Sequence, residues 1–299
     1  YVFDWAWADA YAQHGLDYYP KLLTAVPFTP VPGRRLLAES EADQRLLIAA
    51  ALQFARERGV SSWHVLFPTE DEAHLLAEQG MMARQGIQFH WRNAGFATFY
   101  DYLAAMSHDK RKRIKQERRK VSEAGIAFEH RVCSEIRAQD LAFFYECYRN
   151  TYREHHSSPY LNLRFFQHLL TSLPHHIMLV LGTRDGLPIA SALNVFDGER
   201  IYGRYWGALE FVSGLHFETC YYQAIEWAIA HRLARVEAGA QGEHKLARGY
   251  RPTTTRSAHW IADPSFRRAV DEYLARERRQ VARDEAALAE YLPFREESE

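Results

Sequence analysis

Three apolar runs in the second half of the chain, IMLVLGT, LPIASALNVF and RIYGRYWGA, are joined by Arg184-Asp185-Gly186 and by Asp197-Gly198. Asp-Gly between apolar runs is a strong hairpin signal, because both residues accept the left-handed backbone that a tight turn requires. The runs therefore predict a three-stranded antiparallel meander. Its flanks narrow the fold. A strand IAFEHRVC (126–133) and helices at about Ala138–Glu154 and Leu163–Ser172 come before it. After it come a long helix from about Gly214 to Leu233, a strand-like run through Val236, Ala238 and Ala240, a short helix, and a strand TRSAHWIA. Asp263-Pro264 then opens a last helix to about Tyr291, by N-cap plus proline at the first helical position.

The first half repeats part of this order. Leu46, Leu47, Ala50, Ala51 and Phe54 recur at helical spacing within 42–58, and Gly59 ends that helix. VSSWHVLFP reads as a buried strand, and Thr69 followed by Glu70, Asp71 and Glu72 reads as a capped helix start. Met82–Trp91 supplies the next strand. Helix 42–58, strand 60–67, helix 70–79 and strand 82–91 thus parallel helix 214–233, strand 235–240, helix 243–249 and strand 256–262. In both copies the short helix ends in glycine and a large side chain, Gly80-Met81 and Gly249-Tyr250.

At 299 residues the chain can hold one large domain or two ordinary ones. Its 47% hydrophobic and 25% charged residues describe a globular protein, and a net charge of −1 does not suggest a generic nucleic-acid binder. Any anion site must then be local. Three cysteines without CxxC spacing point to a reducing compartment and against a disulfide framework or a zinc site. The histidine pairs His155-His156 and His175-His176 lack ligand spacing too, so no metal is expected. No apolar run reaches 18 residues and no leader pattern opens the chain, so a cytoplasmic protein without an integral membrane segment is expected. The chain begins at Tyr1 inside what already reads as folded sequence, which suggests a missing N-terminal portion.

The densest chemistry lies in ARVEAGAQGEHKLARGYRP (234–252). Glu243, His244, Lys245, Arg248, Tyr250 and Arg251 bring acid, base, cation and phenol together beside Gly239 and Gly242. The plain alternative is a solvated helix. A second concentration is HDKRKRIKQERRK, where eight Lys or Arg stand against Asp109 and Glu117. Lys110, Arg111, Lys112, Arg113, Lys115, Arg118 and Arg119 form a stripe able to neutralise phosphates of tRNA or of an anionic lipid-linked precursor at a membrane surface. A charge run is more often a solvated face, but such faces usually mix signs. By strand alternation Tyr202, Arg204 and Trp206 share one face and could line a substrate cleft.

Strand, two helices, meander, helix, strand, short helix, strand is an order that resembles the GNAT acyltransferase fold. YPKLLTAVPFTPVPGRRLL, FATFYDYLAAMS with its basic helix, and GAQGEHKLARGYRP with SAHWI and the last helix resemble the FemAB-like family of tandem GNAT proteins. The resemblance implies an α/β (α+β type) fold with mostly antiparallel sheets flanked by helices, the first copy lacking its early strands. Expected boundaries are 1–106 for a partial first domain, 107–125 for a linking basic helix and 126–299 for the second domain. It also implies an enzyme, an N-acyltransferase acting on an amine of a cell-wall precursor or a similar small-molecule acceptor. The donor would be aminoacyl-tRNA or acyl-CoA, and the location cytoplasmic or peripheral to the inner membrane. A conventional CoA-dependent N-acetyltransferase and a non-catalytic binding module are the rival readings.

Acyl transfer to an amine needs a base and donors for the tetrahedral oxyanion. On that ground Glu243, His244, Lys245 and Tyr250 are the expected catalytic residues, and Arg204, Tyr202, Trp206, Arg248 and Arg251 the substrate-binding ones. Where the GNAT pattern has its thiolate-protonating tyrosine, this chain has Lys245. Before helix 214–233, GALEFVSGLHF does not match the pyrophosphate loop of that pattern. Both departures weigh against acetyl-CoA.

Overall fold

The structure is a computed structural model that describes residues 4–239 and 242–294. Its elements in chain order are α1 Trp5–Gln13, β1 Leu22–Thr24, α2 Glu41–Glu57, β2 Ser62–Leu66, α3 Glu70–Glu78 and β3 Met82–Arg92. Next come α4 Phe99–Ala104, α5 His108–Glu123, β4 Ile126–Val132, α6 Ala138–Glu154, α7 Leu163–Ser172, β5 Ile177–Arg184, β6 Leu187–Phe196 and β7 Arg200–Ala208. A helical segment then contains α8 Leu215–Phe217, a π-helical turn Glu218–Tyr222 and α9 Gln223–Ala230. β8 Arg235–Glu237, a 3-10 helix Glu243–Arg248, β9 Tyr250–Ile261 and α10 Pro264–Glu290 complete it.

Local chemistry explains many of these limits. Ser40 caps α2, and Thr69 with Glu72 and Thr98 with Asp101 form capping boxes on α3 and α4. Asp185 and Gly186 both take positive φ, +52° and +76°, as a primed hairpin turn requires. The Asp197 carboxylate accepts from the backbone of Glu199 and Arg200 and holds the second turn.

Two compact units emerge: Tyr1–Gln88 with Thr253–Glu290, and Phe89–Pro252 with the segment from Tyr291. In the first, β1 pairs parallel with β2, and β2 pairs antiparallel with β9 from Ser62↔Ile261 to Leu66↔Ser257. Ile48, Leu52 and Ala55 of α2 pack with Trp63, Val65 and Trp260 on one face. Trp7, Tyr11 and Tyr18 pack with Met82, Ile261, Val270 and Leu274 on the other. In the second unit β4, β5, β6 and β7 are successive antiparallel neighbours, β7 pairs parallel with β8, and the end of β3 pairs antiparallel with β8. α6 and α7 cover one face through Phe144, Tyr148 and Phe166. Val121 of α5 and Leu215 pack with Ile126, Ile189 and Ala190 in a separate cluster.

The fold class is as expected: helices flank mixed, mostly antiparallel strands. The boundaries differ from 1–106, 107–125 and 126–299. β3 stays in the first unit as far as Gln88 and only His90–Arg92 at its end pair with β8, while β9 from Thr253 on belongs to the first unit and pairs with β2. At 11 and 12 residues these strands are long enough to belong to both units. α10 follows β9 into the first unit, where Val270 and Leu274 are buried. The basic helix α5 is no linker, because Ile114 and Val121 are each 1% exposed and seat it on the second unit.

Candidate active site

β7 is nine residues long, yet its pairing with β8 spans only Arg200↔Arg235, Ile201↔Val236 and Tyr202↔Glu237. β8 ends at Glu237, and the chain leaves it through Gly239 and Gly242, both at positive φ (+82° and +115°). A side-chain-bearing residue at either position would be strained. The 3-10 helix follows and closes at Gly249, φ +75°, where an added Cβ would lie 2.7 Å from the Phe294 ring. Residues 244 and 248 lie against the π-helical turn of the preceding helix. π-helical turns recur at functional sites, and this one carries Tyr221 and Tyr222.

Arg248 is the centre of the packing and is only 2% exposed. Its Nη2 donates to both Glu117 carboxylate oxygens at 2.9 and 2.8 Å, Nε donates to the Tyr222 hydroxyl at 2.9 Å, and Nη1 donates to the His244 carbonyl at 2.8 Å. The Phe217 ring lies 3.5 Å from the guanidinium carbon, and the Tyr222 hydroxyl donates to Glu117. The Tyr102 hydroxyl donates to the Arg248 carbonyl at 2.7 Å. These bonds fix the short helix from both backbone and side chain.

Lys245 is 1% exposed and donates from Nζ to the Gly239 carbonyl at 2.8 Å. Burial pushes its pKa down to about 8, so an ammonium that is still charged at pH 7 but loses its proton readily above pH 8 sits at the strand exit. His244 is exposed at its surface, and its Nε2 lies 3.0 Å from the Tyr221 hydroxyl. Partial burial, then Arg248 and Lys245, lower its pKa, which keeps the imidazole neutral near pH 7. Tyr250 is fully buried with its ring edge-on to Tyr221 at 5.7 Å, and its hydroxyl has no hydrogen-bond partner among the described residues. A buried hydroxyl without a partner is unusual in a folded protein. A neutral imidazole, a phenol and a buried ammonium within one turn can together move a proton and hold a negative oxygen.

A family model described as peptidoglycan biosynthesis/recognition, FemAB-like, matches residues 1–296. The chain belongs to the FemAB-like family. Three solved structures share the fold of this FemAB-like protein. The C-terminal domain of an Agrobacterium fabrum protein named as a lysylphosphatidylglycerol synthetase is 12% identical over 77% of each chain, with a TM-score of 0.56. FemX is 11% identical over 83% of this chain and 85% of its own, with a TM-score of 0.56. L-PGS from Bacillus licheniformis is 10% identical over 78% and 79%, with a TM-score of 0.55. No curated protein matches the sequence. Family membership makes the chain an acyltransferase.

The FemAB-like chain does not use all the residues singled out from sequence in the way expected. Arg248 is spent on Glu117, Tyr222 and a carbonyl, so it braces the site and is not a free substrate ligand. The Glu243 side chain lies outside the described part of the structure. Arg251 is exposed with its guanidinium 5.4 Å from the Phe294 ring. Tyr202, Arg204 and Trp206 do not share a face. The register of β6 with β7 slips at Asn194↔Gly203 and Leu193↔Tyr205, so Arg204 is the extra residue of a bulge and alternation reverses beyond it. Tyr202 bonds Asp197, Arg204 lies over Tyr205, and Trp206 packs on His216 with centroids 4.5 Å apart.

On α5 the stripe divides. Arg113 pairs with Glu117, Arg118 with Glu218 and Glu226, and Arg119 with Glu123. No ion pair is recorded for Lys110, Arg111, Lys112 or Lys115 among the described residues. Arg111, Lys112, Lys115 and Arg119 line a groove of about 780 Å³ with His108 and Tyr100. Among the described residues no group of three metal-ligating side chains occurs, and no helix is long and apolar enough to cross a membrane.

Sequence reasoning missed Glu117, Tyr221 and Tyr222. The signal for Glu117 was present: an acid in a run of cations, one helical turn from Arg113. It also missed Glu237, 5% exposed, with Oε2 lacking a hydrogen-bond partner among the described residues and its pKa raised by burial at the point where β7 and β8 part.

Proposed function

We propose that this FemAB-like acyltransferase moves an acyl or aminoacyl group to an amine of a cell-wall precursor or similar acceptor at the 239–250 turn. The single observation that carries the reading is Lys245. A buried ammonium with a depressed pKa stands at the parting of β7 and β8, beside the His244–Tyr221 pair. Buried ammonium groups are costly and cluster at sites that use the charge. With His244 Nε2–H donated to Tyr221, Nδ1 carries the lone pair that takes the proton of the attacking amine. The amine nitrogen bonds the carbonyl carbon, and the oxygen that becomes negative is held by the Lys245 ammonium. Collapse restores the carbonyl and breaks the bond to the leaving oxygen or sulfur, which receives from His244 Nδ1 the proton taken from the amine. Arg248 keeps the short helix in place throughout.

Lys245→Ala is expected to lower the rate of acyl transfer about 100-fold with the fold intact. An undiminished rate in a folded variant would remove the proposal. The pH profile carries the same information. Lys245 is charged below about pH 8 and neutral above it, so the rate should fall as pH rises through 8. Lys245→Arg holds its charge into alkaline solution and should abolish that descending limb.

An aminoacyl ester on RNA is the donor we favour over acyl-CoA, because α5 offers a basic groove to a polyanion while the chain lacks a CoA-type pyrophosphate loop. We place the reaction in the cytoplasm, at or near the inner membrane. Replacing Arg111, Lys112 and Lys115 together by alanine should weaken tRNA binding and flatten its logarithmic salt slope by about 2–3. A slope equal to that of the unaltered protein counts against RNA on this face. Anionic vesicles titrated alongside report the lipid-linked alternative.

A further inference from the structure

The first unit buries a polar chain that the acyl-transfer reading does not use. Lys21 Nζ donates to Asp4 Oδ2 at 2.8 Å, and the Tyr18 hydroxyl donates to the same carboxylate. Tyr18 Oη is 3.0 Å from His64 Nε2, His64 Nδ1 is 2.8 Å from His259 Nδ1, and His259 Nε2 is 2.9 Å from Ser257 Oγ. Asp4, Tyr18, His64 and His259 are 6%, 4%, 0% and 1% exposed. β2 and β9 carry the two histidines on one face, and the Trp7 ring of α1 packs against both. Burial holds both imidazoles neutral, His64 down to about 3. Burial alone would raise Asp4, but the bonds from Lys21 and Tyr18 outweigh it and keep the carboxylate ionised.

Each proton in this chain has one consistent place. Tyr18 has a single hydrogen, and the ionised Asp4 carboxylate takes it. The 3.0 Å contact of Tyr18 with His64 is then a bond donated by His64 Nε2–H, since the reverse would set two lone pairs against each other. His64 Nδ1 is therefore an acceptor, and the neutral His259 must carry its proton on Nδ1. That leaves His259 Nε2 as a bare acceptor facing the hydroxyl of Ser257. Ser62 Oγ, 2.8 Å from His64 Nε2, fits as a second acceptor. Ser257 donates to His259, His259 to His64, His64 to Tyr18 and Tyr18 to Asp4, all in one direction.

Unlike the groups behind it, Ser257 is half-exposed and stands in the wall of a cavity of about 320 Å³, with Phe67, Arg84, Gly86, Thr255 and Val281. A serine whose proton is already committed to a neutral imidazole, oriented from behind by a second group, has the arrangement that activates a nucleophile. We propose that Ser257 accepts a short acyl group from an activated ester, with His259 as its base and His64, Tyr18 and Asp4 as positioning residues. Ser257 Oγ bonds the ester carbonyl carbon, and its proton passes to His259 Nε2. The bond to the leaving alkoxide then breaks, and His259 returns that proton to the leaving oxygen. The acyl-serine is released when water repeats the sequence in reverse.

The full chain incubated with p-nitrophenyl acetate should gain one acetyl group, located on Ser257 by peptide mapping. A fluorophosphonate should modify the same residue. Ser257→Ala should abolish both adducts while leaving amine acylation at the Lys245 site unchanged, which separates failure here from failure of the proposed function. His259→Gln should slow labelling about 100-fold. Asp4→Asn should lower the limiting rate of labelling with the half-saturating ester concentration unchanged, a split that a general loss of structure does not give. The absence of either adduct on the unaltered chain, or an adduct that persists in Ser257→Ala, overturns the proposal.

Discussion

Arg248→Leu is expected to lower the unfolding free energy by about 3 kcal/mol, near the low end for removing one partner of a buried ion pair. The low end applies because the Glu117 side chain keeps 16% exposure against 2% for Arg248, so water can reach part of the abandoned carboxylate. Among the described residues leucine leaves Glu117 facing the Tyr222 hydroxyl and its own i−4 partner Arg113. It also deprives Tyr222 and the His244 carbonyl of donors. Urea denaturation read by near-ultraviolet and far-ultraviolet dichroism would measure the loss. A single variant within about 1 kcal/mol of the unaltered protein would show that the pair contributes no more than an exposed one. Glu117→Leu combined with Arg248→Leu should recover much of the loss, because no charge is then left buried alone. Activity should fall in Arg248→Leu even where the fold survives, since the carbonyl and backbone that position Lys245 lose their tether.

Why this role escaped the sequence is a matter of distance along the chain. Arg248 is visibly a cation near Gly249, but its partner stands 131 residues earlier, on a helix whose composition suggested an anion-binding stripe or a solvated basic face. Features that depend on neighbours in sequence were legible. The Asp185-Gly186 turn follows from the φ values those residues accept, and α6 and α7 have the spans their apolar spacing implies. The cluster at 243–250 was visible too, because glycines at positive φ and a proline leave a chemical signature in the order of residues. Pairing between the repeats was not. β3 and β9 have strand character throughout, and nothing in their alternation says that the end of β3 chooses β8 or that β9 chooses β2. The face of Trp206 was misread for a similar reason: one extra residue at Arg204 reverses every orientation beyond it, and periodicity cannot announce a bulge. The chain from Asp4 to Ser257 joins residues from both ends of the sequence, so no window could contain it.

Gly207→Ala is expected to cost more than about 3 kcal/mol, beyond the usual range for overpacking, and to reduce soluble yield sharply. A Cβ at this position would lie 2.0 Å from the Cys147 carbonyl oxygen, 2.4 Å from its carbon and 2.8 Å from Thr151 Oγ1. Two of these atoms are backbone of α6, so no rotamer change relieves the contact. The helix cannot drift away cheaply either. Thr151 donates to the Trp206 carbonyl and Asn150 to the Ala208 carbonyl, each at 2.8 Å, which clamps α6 to β7 on both sides of the glycine. To admit one methyl group, those bonds and the packing of Phe144 and Tyr148 on Leu193 must yield together. Gly198→Ala is the control, since a Cβ there meets nothing within 4 Å and the loss of glycine freedom alone shifts stability by about 1 kcal/mol or less. Equal midpoints for the two variants in urea would show that α6 does yield. A selective loss at Gly207 would instead locate the rigid support of β7, the strand whose parting from β8 opens the proposed acyl-transfer site.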